Sequence, residues 1–270
     1  MAESFVISGA DRLNIVSTFE CGQCFRWNKD ESGNYFGLAG NVPAFVREED
    51  GNVLVESDAP GEFWVRYFDL DTDYSQADAL FMEIPWLDEC TRAGQGIRIL
   101  RQDPWEALCS FIISQCNNIT RIKGIVERLC SLFGDKLEFN GRECFGFPSA
   151  ETISRLTVDD LAPLRSGYRA PYIIDAAKAV ASGELNLEEL KKCSPEEARK
   201  TLKSLNGIGD KVANCAVLFG LHHMEAFPID VWIKRALKEH FPPDFDPSVL
   251  GPMAGLAQQY MFYYEREHRV

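Results

Sequence analysis

The chain has 270 residues, 46% of them apolar, which suffices for one large domain or two ordinary ones around a real core. Its net charge of −13 argues against a partner held by a broad basic surface, although local patches and backbone N–H groups at helix N-termini do not enter a charge count. No apolar run approaches the roughly 18 residues of a membrane span, the opening MAESFVISGADRLN lacks the blocks of a signal peptide, and the 9 scattered cysteines read as reduced thiols, so an intracellular protein is expected.

In chain order, LNIVSTFE reads as a strand and is followed by Cys21-Gly22-Gln23-Cys24-Phe25-Arg26-Trp27. This C-x-x-C is a metal clamp, a redox pair or neither. Zinc needs two further ligands at matching spacing, and a thioredoxin-type pair needs a helix start in a βαβ unit. The remaining cysteines (Cys90, Cys109, Cys116, Cys130, Cys144, Cys193, Cys215) stand singly, so neither requirement is met. The runs YFGLAG, AFVRE and NVLVES read as further strands, with Asp50-Gly51 as a hairpin turn.

After Pro85 the texture changes to helix. Asp103-Pro104 supplies an N-cap and a proline at the first helical position, and Trp105, Leu108, Cys109, Ile112 and Ile113 follow at helical spacing. A second helix carries Ile122, Ile125, Val126 and Leu129; a third carries Ile173, Ile174, Ala177, Val180 and Ala181 before Gly183. SPEEARKTLKSLNG predicts a helix with a capping box from Ser194 to Glu197, Pro195 in its first turn and its end at Leu205. The predicted class is α+β: an antiparallel β-sheet domain over residues 1–97, then an all-helical domain over 98–270.

LKSLNGIGDKVANCAVLFG reads as a helix-hairpin-helix: the turn Asn206-Gly207-Ile208-Gly209 leads into a helix near Asp210 with Val212, Cys215, Ala216 and Phe219 as its apolar stripe. The glycines leave N–H groups exposed at a positive helix end, which suits a phosphate, although an ordinary αα-hairpin with a glycine C-cap has the same pattern. Lys211 falls in the first helical turn, where the dipole disfavours a cation and so favours a neutral, nucleophilic amine. Asp230, just before an apolar helix, reads as an N-cap and as a candidate partner for that lysine.

The chain resembles the helix-hairpin-helix, Gly/Pro-Asp DNA glycosylases, and among them the 8-oxoguanine DNA glycosylases. The resemblance runs over nearly its whole length and is carried by CGQCFRW, ILRQDPWEALCSFIISQCNNITRIKGIVERLC, GFP at Gly146–Pro148, SGYRAPY, LNGIGDKVANC, FPIDV and GPMAGLAQQYMF. It implies base-excision repair of double-stranded DNA by flipping and excising 8-oxoguanine, preferably opposite cytosine, and nicking the abasic strand. Lys211 matches the nucleophile that forms a Schiff base at the sugar C1′, and Asp230 the carboxylate that offsets the developing positive charge. Gly22 matches a glycine whose carbonyl accepts N7–H of 8-oxoguanine; Cys215 and Phe262 match the pair that sandwiches the base, and Gln258 the amide that reads its Watson–Crick edge. Arg121 and Arg169 match arginines on the orphaned cytosine, and Tyr168 a wedge in the stack. Asn206, Gly207, Ile208 and Gly209 correspond to the hairpin on the DNA backbone. The carbonyls of Lys203, Leu205 and Ile208 correspond to holders of a structural Na, K or Ca ion. No catalytic cofactor is implied.

There are departures. Cys116 stands where eukaryotic members have an asparagine that fills the space left by the flipped base, so Asn117 substitutes or the void is filled otherwise. Trp232 replaces a histidine near a phosphate. No basic tail is present, so a prokaryotic cytosol is expected, with the protein a monomer. No cysteine follows Cys215, which argues against the iron–sulfur branch of these enzymes. The alternatives are an alkylpurine DNA glycosylase, whose branch usually lacks the lysine, and a non-catalytic helix-hairpin-helix DNA-binding protein.

Overall fold

A computed structural model describes residues 3–8 and 13–268. The chain begins with β1 (Glu3–Ser8) and α1 (Ile15–Glu20), then β2 (Asn28–Lys29), β3 (Tyr35–Ala39), β4 (Val42–Glu49) and β5 (Asn52–Ser57). These form a 5-stranded antiparallel sheet in the order β1-β5-β4-β3-β2. Asp50 and Gly51 turn β4 into β5 with φ of 51° and 73°, the left-handed pair of a type I′ hairpin. Alternation along the strands sends Ala44, Val46, Val53 and Val55 inward onto Phe19, Trp27, Trp64 and Phe68.

LNIVSTFE is a helix over its second part and not a strand. Its β-branched residues suit either structure, and the cap decides: the Asn14 side chain accepts the Ser17 N–H at 3.0 Å. Ile15, Thr18 and Phe19 then fall on one buried face, with the Phe19 ring stacked 4.4 Å from Trp27. The helical texture also starts before Pro85, because α2 (Gly61–Tyr67) and α3 (Ser75–Met82) precede it. In α2 the aromatics pack as a helical face, Trp64 and Tyr67 with Phe68 just beyond.

The helical part continues with α4 (Pro85–Ala93), α5 (Pro104–Ile113) and α6 (Ile119–Phe133). A hairpin of β6 (Lys136–Phe139) and β7 (Arg142–Phe145) packs Phe139 near Phe45 of the main sheet. Then come α7 (Ala150–Ser154), α8 (Ala170–Ala181), α9 (Leu187–Leu190), α10 (Pro195–Leu202), α11 (Asp210–Cys215), α12 (Val231–His240) and α13 (Ala254–His268). α5 is buried on every side, and Asp103 caps it by accepting the Glu106 N–H at 2.9 Å. α10 ends at Leu202, not Leu205: Ser204 and Leu205 donate to the carbonyls of Thr201 and Leu202 at 3.1 and 3.2 Å, tightening the chain into i→i+3 turns. Ser194 caps its start, accepting from Glu197 N–H at 3.2 Å.

The CGQCFRW segment lies between two hydrophobic clusters. Cys21 and Phe25 pack into the helical core, whereas Cys24 and Trp27 pack under the sheet. Gln23, fully buried, holds the segment in place: its Nε2 donates to the carbonyls of Thr18 (3.0 Å) and Arg98 (2.8 Å), and its Oε1 accepts the Leu100 N–H at 2.9 Å. A second brace is buried Asp69, which accepts from Thr72 and Tyr74 hydroxyls and Arg101 Nε, each at 2.8 Å, and lies 3.4 Å from His222. Burial alone would raise its pKa, but the His222 contact and the two hydroxyls hold it at about 2. This knot ties the N-terminal region to the turn between α11 and α12.

Candidate active site

The hairpin turn places Lys211 in the first turn of α11, behind the extended N-cap Gly209. Its Nζ donates to Ser114 Oγ at 2.8 Å and sits 5.4 Å from the centre of the Phe111 ring. Ser114, buried at the end of α5, donates in turn to the Phe111 carbonyl at 2.8 Å, which turns its lone pairs toward the lysine. Sequence reasoning passed over Ser114; its position at the C-terminal end of a fully buried helix was the available signal.

After Cys215 the helix widens into one π-helical turn, Ala216–Gly220, a feature that often accompanies functional sites. Asp230 caps α12, with Oδ1 accepting the N–H groups of Trp232 (3.0 Å) and Ile233 (2.9 Å). Burial raises its pKa, while the Ile233 N–H and the Lys211 charge pull the other way.

Lys211 and Asp230 line one pocket together with Gly22, Asn117, Cys215, Gln258 and Phe262. Cys215 lies one turn beyond Lys211 on the same helix face, and burial raises its thiol pKa. Gln258 and Phe262 share a face of α13 at i, i+4. Gly22 has φ +78°, and a Cβ there would lie 3.2 Å from the Phe262 ring. The pocket holds about 90 Å³, less than the roughly 150 Å³ that accepts a benzene ring. The Phe262 ring stands close to Gly22 across this space.

Around the rim, two turns interlock. Cys116 is exposed in a left-handed conformation (φ 49°), and Asn117 Nδ2 donates to the Ile113 carbonyl at 2.8 Å. Arg169 is buried, with Nε donating to the Gln115 carbonyl at 2.8 Å and Nη1 to that of Ser166 at 3.0 Å. In this state Arg169 joins the turns and does not face solvent. Tyr168 is half exposed above it, 4.4 Å from ring centre to guanidinium carbon. Arg121 is exposed and donates weakly to the Arg165 carbonyl at 3.4 Å.

The C-x-x-C thiols point inward. Cys21 donates to the Thr18 carbonyl at 3.3 Å and burial pushes its pKa up to about 12; burial raises that of Cys24 as well. Among the described residues no group of three or more His, Cys, Asp or Glu is placed to hold a metal. At the hairpin, the Leu205 carbonyl accepts the Ile208 N–H at 3.3 Å, and among the described residues no backbone N–H donates to the carbonyls of Lys203 or Ile208. Hard carbonyl oxygens of this kind fit a monovalent or calcium-type ion. Asn206 donates to Asp175 at 3.0 Å, which steadies the same turn.

Comparison with known proteins covers both regions of the chain. Residues 5–108 match the N-terminal domain of 8-oxoguanine DNA glycosylase, and residues 109–249 match the HhH-GPD superfamily base excision DNA repair protein family. A crystal structure of the 8-oxoguanine glycosylase/lyase of Clostridium acetobutylicum, in complex with double-stranded DNA containing cytosine opposite 8-oxoguanine, is 35% identical, covers 100% of this chain and 99% of that one, and superposes with a TM-score of 0.92. An N-glycosylase/DNA lyase of Saccharomyces cerevisiae is 33% identical over 261 residues, 85% of this chain and 68% of the yeast protein. Its counterpart in Arabidopsis thaliana is 32% identical over 259 residues, 89% of this chain and 69% of the plant protein.

Proposed function

The chain belongs to the HhH-GPD superfamily of base excision DNA repair proteins, in its 8-oxoguanine DNA glycosylase branch, and on that basis we propose that it excises 8-oxoguanine from duplex DNA, preferably opposite cytosine, and then nicks the strand. The observation that carries this reading is the convergence of Lys211, Asp230, Gly22 and the Gln258–Phe262 face on one pocket at the positive end of the hairpin helix.

The Lys211 amine, aligned by Ser114 Oγ, attacks C1′ of the flipped nucleotide. The bond from C1′ to the base breaks, and its electron pair leaves with the base. Asp230, fixed by two backbone N–H groups, faces the positive charge that develops on the sugar. Ring opening gives a Schiff base between Lys211 and C1′, and loss of the C2′ proton expels the 3′ phosphate, which nicks the strand. Gly22 offers its carbonyl to N7–H, a donor that guanine lacks. The N–H groups around Gly207 and Gly209 meet the backbone phosphate without basic side chains. An Na, K or Ca ion on the carbonyls of Lys203, Leu205 and Ile208 would add positive charge at that phosphate. No described helix is long and apolar enough to cross a membrane; work on DNA in a cytosol, as a monomer, belongs to the same proposal.

The test is borohydride trapping and single-turnover excision on duplexes with 8-oxoguanine opposite each of the four bases. The wild type is expected to cross-link, fastest opposite cytosine. Lys211→Gln should bind the lesion and neither excise nor cross-link. Because Asp230 acts as an anion and burial raises its pKa, the rate should fall on the acid side at a pH above the ordinary aspartate value of about 3.9, and Asp230→Asn should be slow throughout. Normal turnover by Lys211→Gln sinks the mechanism. Faster excision from alkylated purine duplexes than from 8-oxoguanine duplexes would favour the alkylpurine alternative, and failure to cross-link any duplex would favour a non-catalytic binder.

A further inference from the structure

Next to Gln258 on α13 stands a second glutamine, Gln259, which also lines the pocket and is equally buried, at 3% exposure. Its Nε2 donates to Gln258 Oε1 at 2.9 Å. Its own Oε1 is buried and has no hydrogen-bond partner in this state. An orphan amide oxygen in a core is destabilising, and a methionine or leucine would fill the same space without that cost. Such a group in a pocket wall points to a ligand that donates to it.

The base assigned to this pocket has that donor. The Watson–Crick edge of a guanine-type base carries one acceptor, O6, and two donors, N1–H and the exocyclic 2-amino group. A single glutamine amide has one oxygen and one NH2, so Gln258 can meet O6 and N1–H together and leave the amino group unmet. With Gln259 Nε2 donating to it, the Gln258 oxygen keeps one lone pair free for N1–H. We propose that Gln259 is a second specificity-determining residue: it orients Gln258, and its carbonyl accepts the 2-amino group. The inference rests on the 8-oxoguanine reading above and extends it to a rule for the base edge: purines without a 2-amino group are rejected.

The experiment compares single-turnover excision of 8-oxoguanine with that of 8-oxohypoxanthine, which differs only in lacking the amino group, each opposite cytosine. The ratio of the two rates within one protein cancels any general loss of stability or chemistry. In the wild type it should be about ten or more, because the orphan oxygen stays unmet with the analogue. In Gln259→Met, and in Gln259→Leu as a second packing solution, it should shrink to within about threefold of unity, mainly through slower excision of 8-oxoguanine. A wild-type ratio near one overturns the proposal without any variant. A large ratio that survives in both variants overturns it as well. Wild-type inactivity on both duplexes, with cross-linking to an abasic site retained, would overturn the 8-oxoguanine reading itself.

Discussion

At the scale of single residues, Gly22 and its neighbouring cysteines show how one short segment divides its tasks. Gly22 combines a left-handed backbone with a close approach to Phe262 and Ile119. A side chain there strains the turn by about 1–2 kcal/mol and crowds the Phe262 ring. Gly22→Ala should therefore slow single-turnover excision roughly 5- to 150-fold, the range set by one misplaced hydrogen bond of about 1–3 kcal/mol, while non-specific duplex binding stays close to wild type. Cys21 and Cys24 are protonated packing groups facing backbone carbonyls. Cys21→Ser and Cys24→Ser should lower the melting temperature more than the excision rate and release no zinc. Metal in the purified protein, or a rate that follows the redox potential of the buffer, would overturn that division.

At the scale of elements, the two glycines of the hairpin separate into different physical roles. Gly207 has φ +76°, and a Cβ on it would lie 2.3 Å from the Tyr172 ring on α8. Gly209 has an ordinary negative φ of −92°, and a Cβ on it would meet nothing within 4 Å. Gly207→Ala should thus cost about 2 kcal/mol or more in stability, from backbone strain plus overpacking. Gly209→Ala should fold normally yet weaken duplex binding if, as proposed above, a backbone phosphate meets the N–H groups of this helix start, because the added methyl group meets no protein atom within 4 Å. Thermal melts paired with duplex affinities check both. Equal stability losses in the two variants would mean that the turn is held by something other than the Gly207–Tyr172 contact.

At the scale of the whole molecule, a protein at −13 has to bind a polyanion. Local pairing of its cations makes this harder: Lys203 is held by Asp210 at 2.5 Å across the hairpin, and Lys123 by Glu20 at 3.3 Å. Attraction is left to backbone N–H groups and to cations such as Arg121, which has no acidic partner among the described residues but donates to the Arg165 carbonyl. Counterion release should accordingly be small, with a log–log salt slope that corresponds to about three to five phosphate contacts. A slope matching eight to ten would reveal a basic face that the charge balance conceals.

The sequence alone determined what depends on a few neighbouring residues. The Asp103-Pro104 start of α5, the Asp50-Gly51 hairpin and the Ser194 cap are local matters of φ preference and side-chain capping, and all lie where the pattern put them. The α+β class follows from the same local signals. Lys211 and Asp230 were legible as a pair because a turn, a helix start and a cap are all written within about twenty residues. LNIVSTFE reads as a strand yet folds as a helix from Ile15, because β-branched residues leave the choice to a cap and to burial against Trp27. Tertiary structure alone decided where the polar side chains find partners. Gln23 reaches the Arg98 carbonyl 75 residues away, and Lys211 reaches Ser114 across 97. Arg169 turns inward onto the Gln115 carbonyl, and Gln259 is left with an unmet oxygen in the pocket wall. Backbone conformation is governed by sterics within a turn of chain, whereas a buried donor or acceptor takes whichever partner the packed fold brings within about 3 Å, and no local pattern encodes that.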